Sequence, residues 1–308
     1  VISKAPAAAS APRRNIIAVA AWMAGALVSF SAIAVSIREL SSALSVFEIL
    51  ALRNAAGIVI LIALALFKPS LRMGFVPRRM GLHALRNVVH FLGQYAWALA
   101  VTILPLATVF AIEFTTPAWV ALFAALILRE QMTRPRILAI VLGLVGILVI
   151  LRPGSETLDP AALIVLFAAI CFALVTIATK RLTGTESTFS ILFWMNVMQL
   201  PMNYLGSDPL FFLKIPELPI LPVIGMCIGG LSAHFCLTSA FRHGDAVVVV
   251  PLDFMRLPLI ALVAFWLYAE PLDPFIFAGA IIIVAGILQS LRAESRRRQL
   301  PVENGVEK

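Results

Sequence analysis

Ten long apolar segments take up most of the chain, at about 15–37, 44–67, 79–102, 106–128, 135–151, 159–181, 188–205, 219–241, 246–268 and 273–291. Most are close to the roughly 20 residues that a helix needs to cross a bilayer. Only 13% of the 308 residues are charged and 61% are hydrophobic, against about 25% charged in soluble domains. Charge this sparse cannot coat a water-facing surface, so lipid is the expected solvent. The predicted fold class is an all-α integral membrane protein with ten transmembrane helices.

The breaks between segments carry turn or charge signals: Lys68-Pro69, Pro105, Arg134-Pro135, Arg152-Pro153-Gly154, Thr183-Gly184-Thr185, Pro216, Gly244-Asp245 and Pro271. Of the 24 Lys and Arg, three lie within spans (Arg53, Arg86 and Arg256). The loops on the N-terminal side hold eighteen, and those on the opposite side hold only Arg38, Arg152 and Lys214. Basic loops stay in the cytoplasm, so both termini of a multi-pass membrane protein are expected there. The net charge of +8 is then a topology signal, and no nucleic-acid partner is expected. Cys171, Cys227 and Cys236 all sit inside apolar segments without metal-ligand spacing. They read as small hydrophobes, and no metal or cofactor is expected. The Ala-rich start of the chain, 1–14, lacks a convincing cleavage site and reads as a cytoplasmic tail.

The chain repeats itself. Gly146 and Gly286, Arg152 and Arg292, and Glu130 and Glu270 are all separated by one and the same interval. Pro105-Leu106-Ala107 through Glu113 to Thr115-Thr116-Pro117 matches Gly244-Asp245-Ala246 through Asp253 to Pro258, with two extra residues in the second copy. The expected organisation is a tail at 1–14, a first five-helix repeat at 15–151, a linker at 152–158, a second repeat at 159–291 and a basic tail at 292–308. Five is odd, so the second repeat enters the membrane inverted. Secondary carriers with a site between inverted halves are built this way.

These features resemble the drug/metabolite transporter superfamily, specifically its ten-span EamA-type members. The Leu-Pro-Leu-Ala lead-in at 104–107, the mid-span Thr115-Thr116-Pro117, and Arg129-Glu130 followed by a short basic loop carry the likeness. The resemblance implies a gradient-driven or facilitative carrier. Several bacterial members export amino acids through an aromatic-lined cavity, and Tyr95 and Trp97 look like their Tyr-x-Trp in the third span.

A charge inside the bilayer costs a few kcal/mol or more, so each one needs a partner, water or a function. In the third span, His83, Asn87, His90, Gln94 and Trp97 recur every three or four residues and share one helix face, with Arg86 just outside it. Lipid rejects such a stripe, so it faces the bundle interior, as wall of a wet cavity or as polar glue. Glu113 and Asp253 each precede a proline, Pro117 or Pro258, that frees a backbone carbonyl. Asp253 and Arg256 are three apart and are expected to pair. Glu113 has no partner on its own helix, leaving Arg53, Arg86 or His90 across the bundle, or a proton. Arg53, Asn54 and Asn196 read as structural hydrogen-bonding groups. His234 and Trp22 are candidate cavity residues for which packing is the plain alternative. Pro251 makes the ninth span look more broken than the fourth. Ala139, Gly143 and Gly146, with Gly279 and Gly286, predict close approach of the fifth and tenth spans to each other or to another protomer.

The candidate substrate-binding set is therefore Trp22, His83, Asn87, His90, Gln94, Trp97, Glu113 and His234. The hinge or structural set is Arg53, Pro117, Pro251, Asp253, Arg256 and Pro258. Interior charges of both signs beside aromatic rings suit a small zwitterion, most readily an amino acid moving outward, carried by a monomer or homodimer. A nucleotide, sugar or organic-acid carrier is the alternative, and it would want unpaired cations. No acid lies in residues 15–37, which argues against small-multidrug cation efflux. No His-x-x-x-His or Gly-x-Ser-x-Gly occurs, so an intramembrane enzyme is not expected. A channel is disfavoured by the broken helices.

Overall fold

The computed structural model describes residues 16–128, 132–152, 159–243 and 246–299. The expectations for Glu130, the Gly244-Asp245 turn, linker residues 153–158 and the chain ends lie outside these, as does the side chain of Pro251. Twelve α-helices and two 3₁₀ segments, and no strand, occur among the described residues. The helices are α1 (Ile16–Leu40), α2 (Val46–Phe67), α3 (Met80–Ile103), α4 (Leu106–Glu113), α5 (Thr116–Leu128) and α6 (Arg134–Leu151). They continue with α7 (Ala162–Leu182), α8 (Thr188–Leu205), α9 (Ile220–His243), α10 (Ala246–Asp253), α11 (Arg256–Tyr268) and α12 (Pro274–Gln299).

Seven stretches are long and apolar enough to cross a membrane, and α4 and α5 together make one of them. The α3 and α8 helices fall short because polar side chains lower their hydropathy, not because they are short. Large apolar side chains point outward, including Val59, Phe67, Trp266 and Ile281, a surface that lipid accepts and water does not. One difference from the sequence reading is at the end of α12. The helix runs to Gln299, about two turns beyond the apolar segment.

Local chemistry accounts for the helix ends. Ser45 and Glu48 form a reciprocal capping box at the start of α2, satisfying two amides that the first turn leaves free. The fourth and ninth apolar segments are each split by a two-residue break, at 114–115 and 254–255. Pro117 has no N–H for the Glu113 carbonyl. The Thr116 hydroxyl donates to that carbonyl instead, at 2.6 Å. Pro258 likewise strands the Phe254 carbonyl, which accepts from the Leu257 amide at 3.1 Å. Pro251 makes no break, contrary to expectation: α10 runs straight through it.

The helices pair as α1 with α9, α3 with α7, α2 with α8, α4 with α11 and α6 with α12. Small residues make these approaches close. A Cβ on Gly93 would meet the Cβ of Cys171 at 2.6 Å, between α3 and α7. The predicted approach of the fifth and tenth spans is realised within the chain. A Cβ on Gly146 would lie 2.7 Å from the Gly279 carbonyl, and one on Gly279 would lie 2.6 Å from the Gly146 carbonyl. The two backbones come this close because neither glycine has a side chain, and Ile150 and Ile283 of the facing helices pack over them.

Candidate substrate site

The two helix breaks converge. Glu113 ends α4, Asp253 ends α10 and Arg256 begins α11. The Arg256 guanidinium lies 3.3 Å from Asp253 Oδ2 and 3.6 Å from Glu113 Oε1. The Asp253–Arg256 pair is the one the spacing predicts. The partner of Glu113 is a correction: it is Arg256, from the other half of the chain, and not Arg53, Arg86 or His90. Trp97 adds a hydrogen bond from Nε1 to Glu113 Oε2, at 2.8 Å. Arg256 also lies over three rings, Phe30 at 4.4 Å, Phe114 at 5.0 Å and Phe110 at 5.3 Å. Cation–π contacts contribute about 0.5–2 kcal/mol each, the more so when desolvated. Phe114 and Phe254, the first residues of the two breaks, touch each other with centroids 4.4 Å apart. The repeat held the signal for this contact. Glu113 and Asp253, the acids the sequence places at matching positions, both reach the one guanidinium of Arg256.

The third-span stripe is buried as expected, but it divides in two. Its inner part holds helices together. Asn87 Nδ2 donates to the Trp194 carbonyl at 3.3 Å and to Met198 Sδ at 3.1 Å. Arg86 donates to Thr179 Oγ1 at 2.9 Å and to Asn87 Oδ1 at 2.8 Å. His90 Nδ1 is 2.7 Å from Gln199 Nε2. His83 is fully buried at the start of α3, 3.6 Å from Glu186, apart from the Glu113–Arg256 cluster. Glu186 also accepts from the Arg79 amide at 3.1 Å and the Ser190 hydroxyl at 3.1 Å. Burial raises the Glu186 pKa, but hydrogen bonds from the Arg78 and Arg79 amides and Ser190, with the His83 charge, outweigh it and leave the pKa lowered. The outer part of the stripe differs. Gln94 is buried with neither amide atom hydrogen-bonded within the protein, and Trp97 is committed to Glu113.

A pocket lies between α2, α8 and α9, lined by Arg53, Gly57, Met195, Asn196, Cys227, Gly230, Leu231 and His234. Arg53 lays its stem on Gly230, where a Cβ would lie 3.2 Å from Arg53 Cδ. Its guanidinium makes one long hydrogen bond, 3.4 Å to Asn54 Oδ1. His234 lines the pocket and sets its ring edgewise on Phe30, 6.1 Å between centroids. Phe30 thereby links this pocket to Arg256. Trp22 does not join it: its ring packs on Phe235, which is 61% exposed on the outer surface. Sequence reasoning passed over Phe30, Phe110 and Phe114, since a phenylalanine in an apolar helix carries no signal of its own. Among the described residues, no group of three or more His, Cys, Asp or Glu is placed to hold a metal ion.

Comparison with known proteins gives the same picture from outside. The profile described as the EamA-like transporter family matches residues 17–152 and again residues 159–292. The S-adenosylmethionine uptake transporter of Rickettsia bellii (strain RML369-C) is 29% identical over 283 residues, covering 89% of this chain and 94% of that protein. The riboflavin transporter of Brucella anthropi is 30% identical over 221 residues, covering 70% and 78%. The pseudopaline exporter of Pseudomonas aeruginosa is 25% identical over 273 residues, covering 86% and 93%.

Proposed function

Because the chain belongs to the EamA-like transporter family, we propose that it is a secondary carrier moving a small amphoteric metabolite across a bacterial inner membrane by alternating access. It crosses the bilayer ten times, as two inverted repeats of five helices with both termini in the cytoplasm, and works as a monomer or homodimer. Two observations support the inverted build. The family profile matches twice, over segments of nearly equal length. Four of the five helix pairings are also kept when the halves are exchanged: α1 with α9 becomes α7 with α3, and α2 with α8 and α6 with α12 map onto themselves, while α4 with α11 has no equally close counterpart.

The observation that carries the function is the cluster of Glu113, Arg256 and Asp253 at two facing helix breaks, walled by Phe30, Phe110, Phe114 and Trp97. A closed ion cluster shared by both halves is an element that can be made in one state and opened in another. Pro117 and Pro258 supply the hinges beside it. Pro251 is not required as one.

The cargo is broader than the amino acids first expected. Relatives named for S-adenosylmethionine, riboflavin and pseudopaline share the fold. What suits this site is an aromatic or apolar body with charged ends, a description that includes aromatic amino acids. Outward movement was the sequence expectation. Relatives named for uptake and for export stand side by side, so the gradient sets the direction in this reading.

Counterflow in proteoliposomes tests it, with labelled S-adenosylmethionine, riboflavin and the twenty amino acids. Saturable exchange of at least one is expected, and Trp97→Ala and Gln94→Ala reduce it without reducing membrane insertion. Uncoupled ion current in place of saturable flux would sink the carrier reading. Wild-type flux in both variants would remove the third span from the site.

A further inference from the structure

Both interior acids near the helix breaks are spent on one base. Glu113 and Asp253 face Arg256, and this leaves Arg53 and Arg86 without a carboxylate partner among the described residues. The two arginines are not equivalent. Arg86 is 7% exposed and bonds Thr179 and Asn87 at ordinary distances, so neutral oxygens satisfy it. Arg53 is half-buried and holds one contact of 3.4 Å for five N–H donors. It begins the third turn of α2, roughly 10 Å from the start of that helix at about 1.5 Å per residue.

An arginine this poorly satisfied inside a membrane domain is costly unless something anionic or aqueous meets it. Its surroundings are shaped for an approach. Gly57 and Gly230 line the pocket with no side chain to fill it. His234 lines the same pocket, and no hydrogen bond from its ring to another described residue is formed. Arg53 brings a positive charge to this lining, and no described carboxylate is part of it.

We propose that Arg53 is the docking point for a carboxylate on the cargo, with His234 beside it and Phe30 leading from it to the Arg256 cluster. The guanidinium fork matches one planar carboxylate with two parallel hydrogen bonds. A phosphate dianion would call for a second free cation in the pocket, and Arg86 is already engaged. The proposal rests on the carrier reading and adds which chemical group of the cargo is held, and where. It reassigns Arg53 from the structural role that the sequence alone suggested.

Cys227 lines the same pocket and reports on it without knowledge of the cargo. With Cys171 and Cys236 changed to Ser, it is the only thiol in the chain. Its modification rate by anionic sulfonatoethyl methanethiosulfonate is compared with that by cationic trimethylammonioethyl methanethiosulfonate, each scaled to a free thiol. The fraction of time the pocket is open cancels in this ratio. The anionic reagent is expected to win by about tenfold or more, given a unit charge this near in a poorly screened space. Arg53→Gln brings the ratio towards one, and Arg53→Lys, which keeps the charge and guards against a folding artefact, preserves it. In flux assays, Arg53→Gln also abolishes any preference for L-phenylalanine over phenethylamine, which lacks the carboxylate. A ratio at or below one, a ratio unchanged in Arg53→Gln, or no reaction with either reagent overturns the subsite. Absence of saturable flux with the ratio intact removes the carrier reading and leaves the subsite standing.

Discussion

Removing Arg256 alone should do more harm than removing it together with the two acids it balances. In Arg256→Met, Glu113 and Asp253 lose the cation that sits 3.6 and 3.3 Å from them. At an effective dielectric near 20, unit charges about 3.5 Å apart attract by about 5 kcal/mol before desolvation is subtracted. Breaking a buried ion pair by deleting one partner costs about 3–5 kcal/mol, because the remaining charge is stranded. The acid side chains keep 17% and 25% exposure, so water recovers part of this, and the lower end of that range is expected. At roughly 2–4 °C per kcal/mol, the melting temperature of the detergent-purified protein falls by about 6–10 °C. The diagnostic variant is the triple Glu113→Gln, Asp253→Asn, Arg256→Met. It leaves no unpaired charge in the cluster, and the new glutamine amide still accepts from Trp97 Nε1. Its melting temperature should recover most of the loss although it carries the same Arg256→Met change. A triple variant as unstable as the single one, or an Arg256→Met that melts like wild type, would refute the view that the cluster is held together by compensation of charge.

Two further outcomes can be checked with the same thermal assay. Gly279→Ala forces a Cβ to within 2.6 Å of the Gly146 carbonyl and 2.5 Å of Ile150, and overpacking of this kind costs about 1–3 kcal/mol. Gly81→Ala on α3 has nothing within 4 Å and should be neutral or slightly stabilising. Equal melting of the two variants would deny that the α6–α12 crossing is close. The Glu186 carboxyl has its pKa held below the ordinary carboxylate value by the amides that bond it, so its contribution is fully present above the unfolded value. It is lost as the pH falls through the folded one. Wild type should therefore lose more stability than Glu186→Gln on acidification from neutral pH through the carboxylate range, and parallel curves would count against it.

Much of the architecture was legible because lipid imposes simple rules. Apolar runs long enough to span a bilayer marked the helices, and Pro117 and Pro258 marked the breaks. The glycines of α6 and α12 announced a backbone crossing that requires no knowledge of its partner's side chains. The Asp253–Arg256 pair followed from helical spacing alone. The partner of Glu113 did not, because it lies in the other half of the chain and only the facing of the two halves brings it near. Pro251 misled because a proline removes one N–H and does not by itself end a helix, and α10 continues through it. The third-span stripe was visible, but its division into glue and site was not. That depends on what α7 and α8 offer opposite each residue. Trp22 shows the reverse limit, since periodicity cannot tell a ring facing the interior from one packed beside an outward-facing Phe235.

The glycine crossing of α6 and α12 also sets a scale for movement. With the backbones in contact at Gly146 and Gly279 and Ile150 and Ile283 packed over them, this edge of the bundle is the tightest candidate for an axle. In the proposed cycle, displacement then grows with distance from it. The α2–α8 pair packs against neither helix of the axle and lies at least two interhelix spacings away, about 20 Å. A rotation of roughly 15°, like that between subunits of allosteric oligomers, sweeps that far edge by about 5 Å and leaves the axle almost still. Arg53 and Asn196 ride on the moving rim, so a small turn at one edge is enough to open and close the space between them.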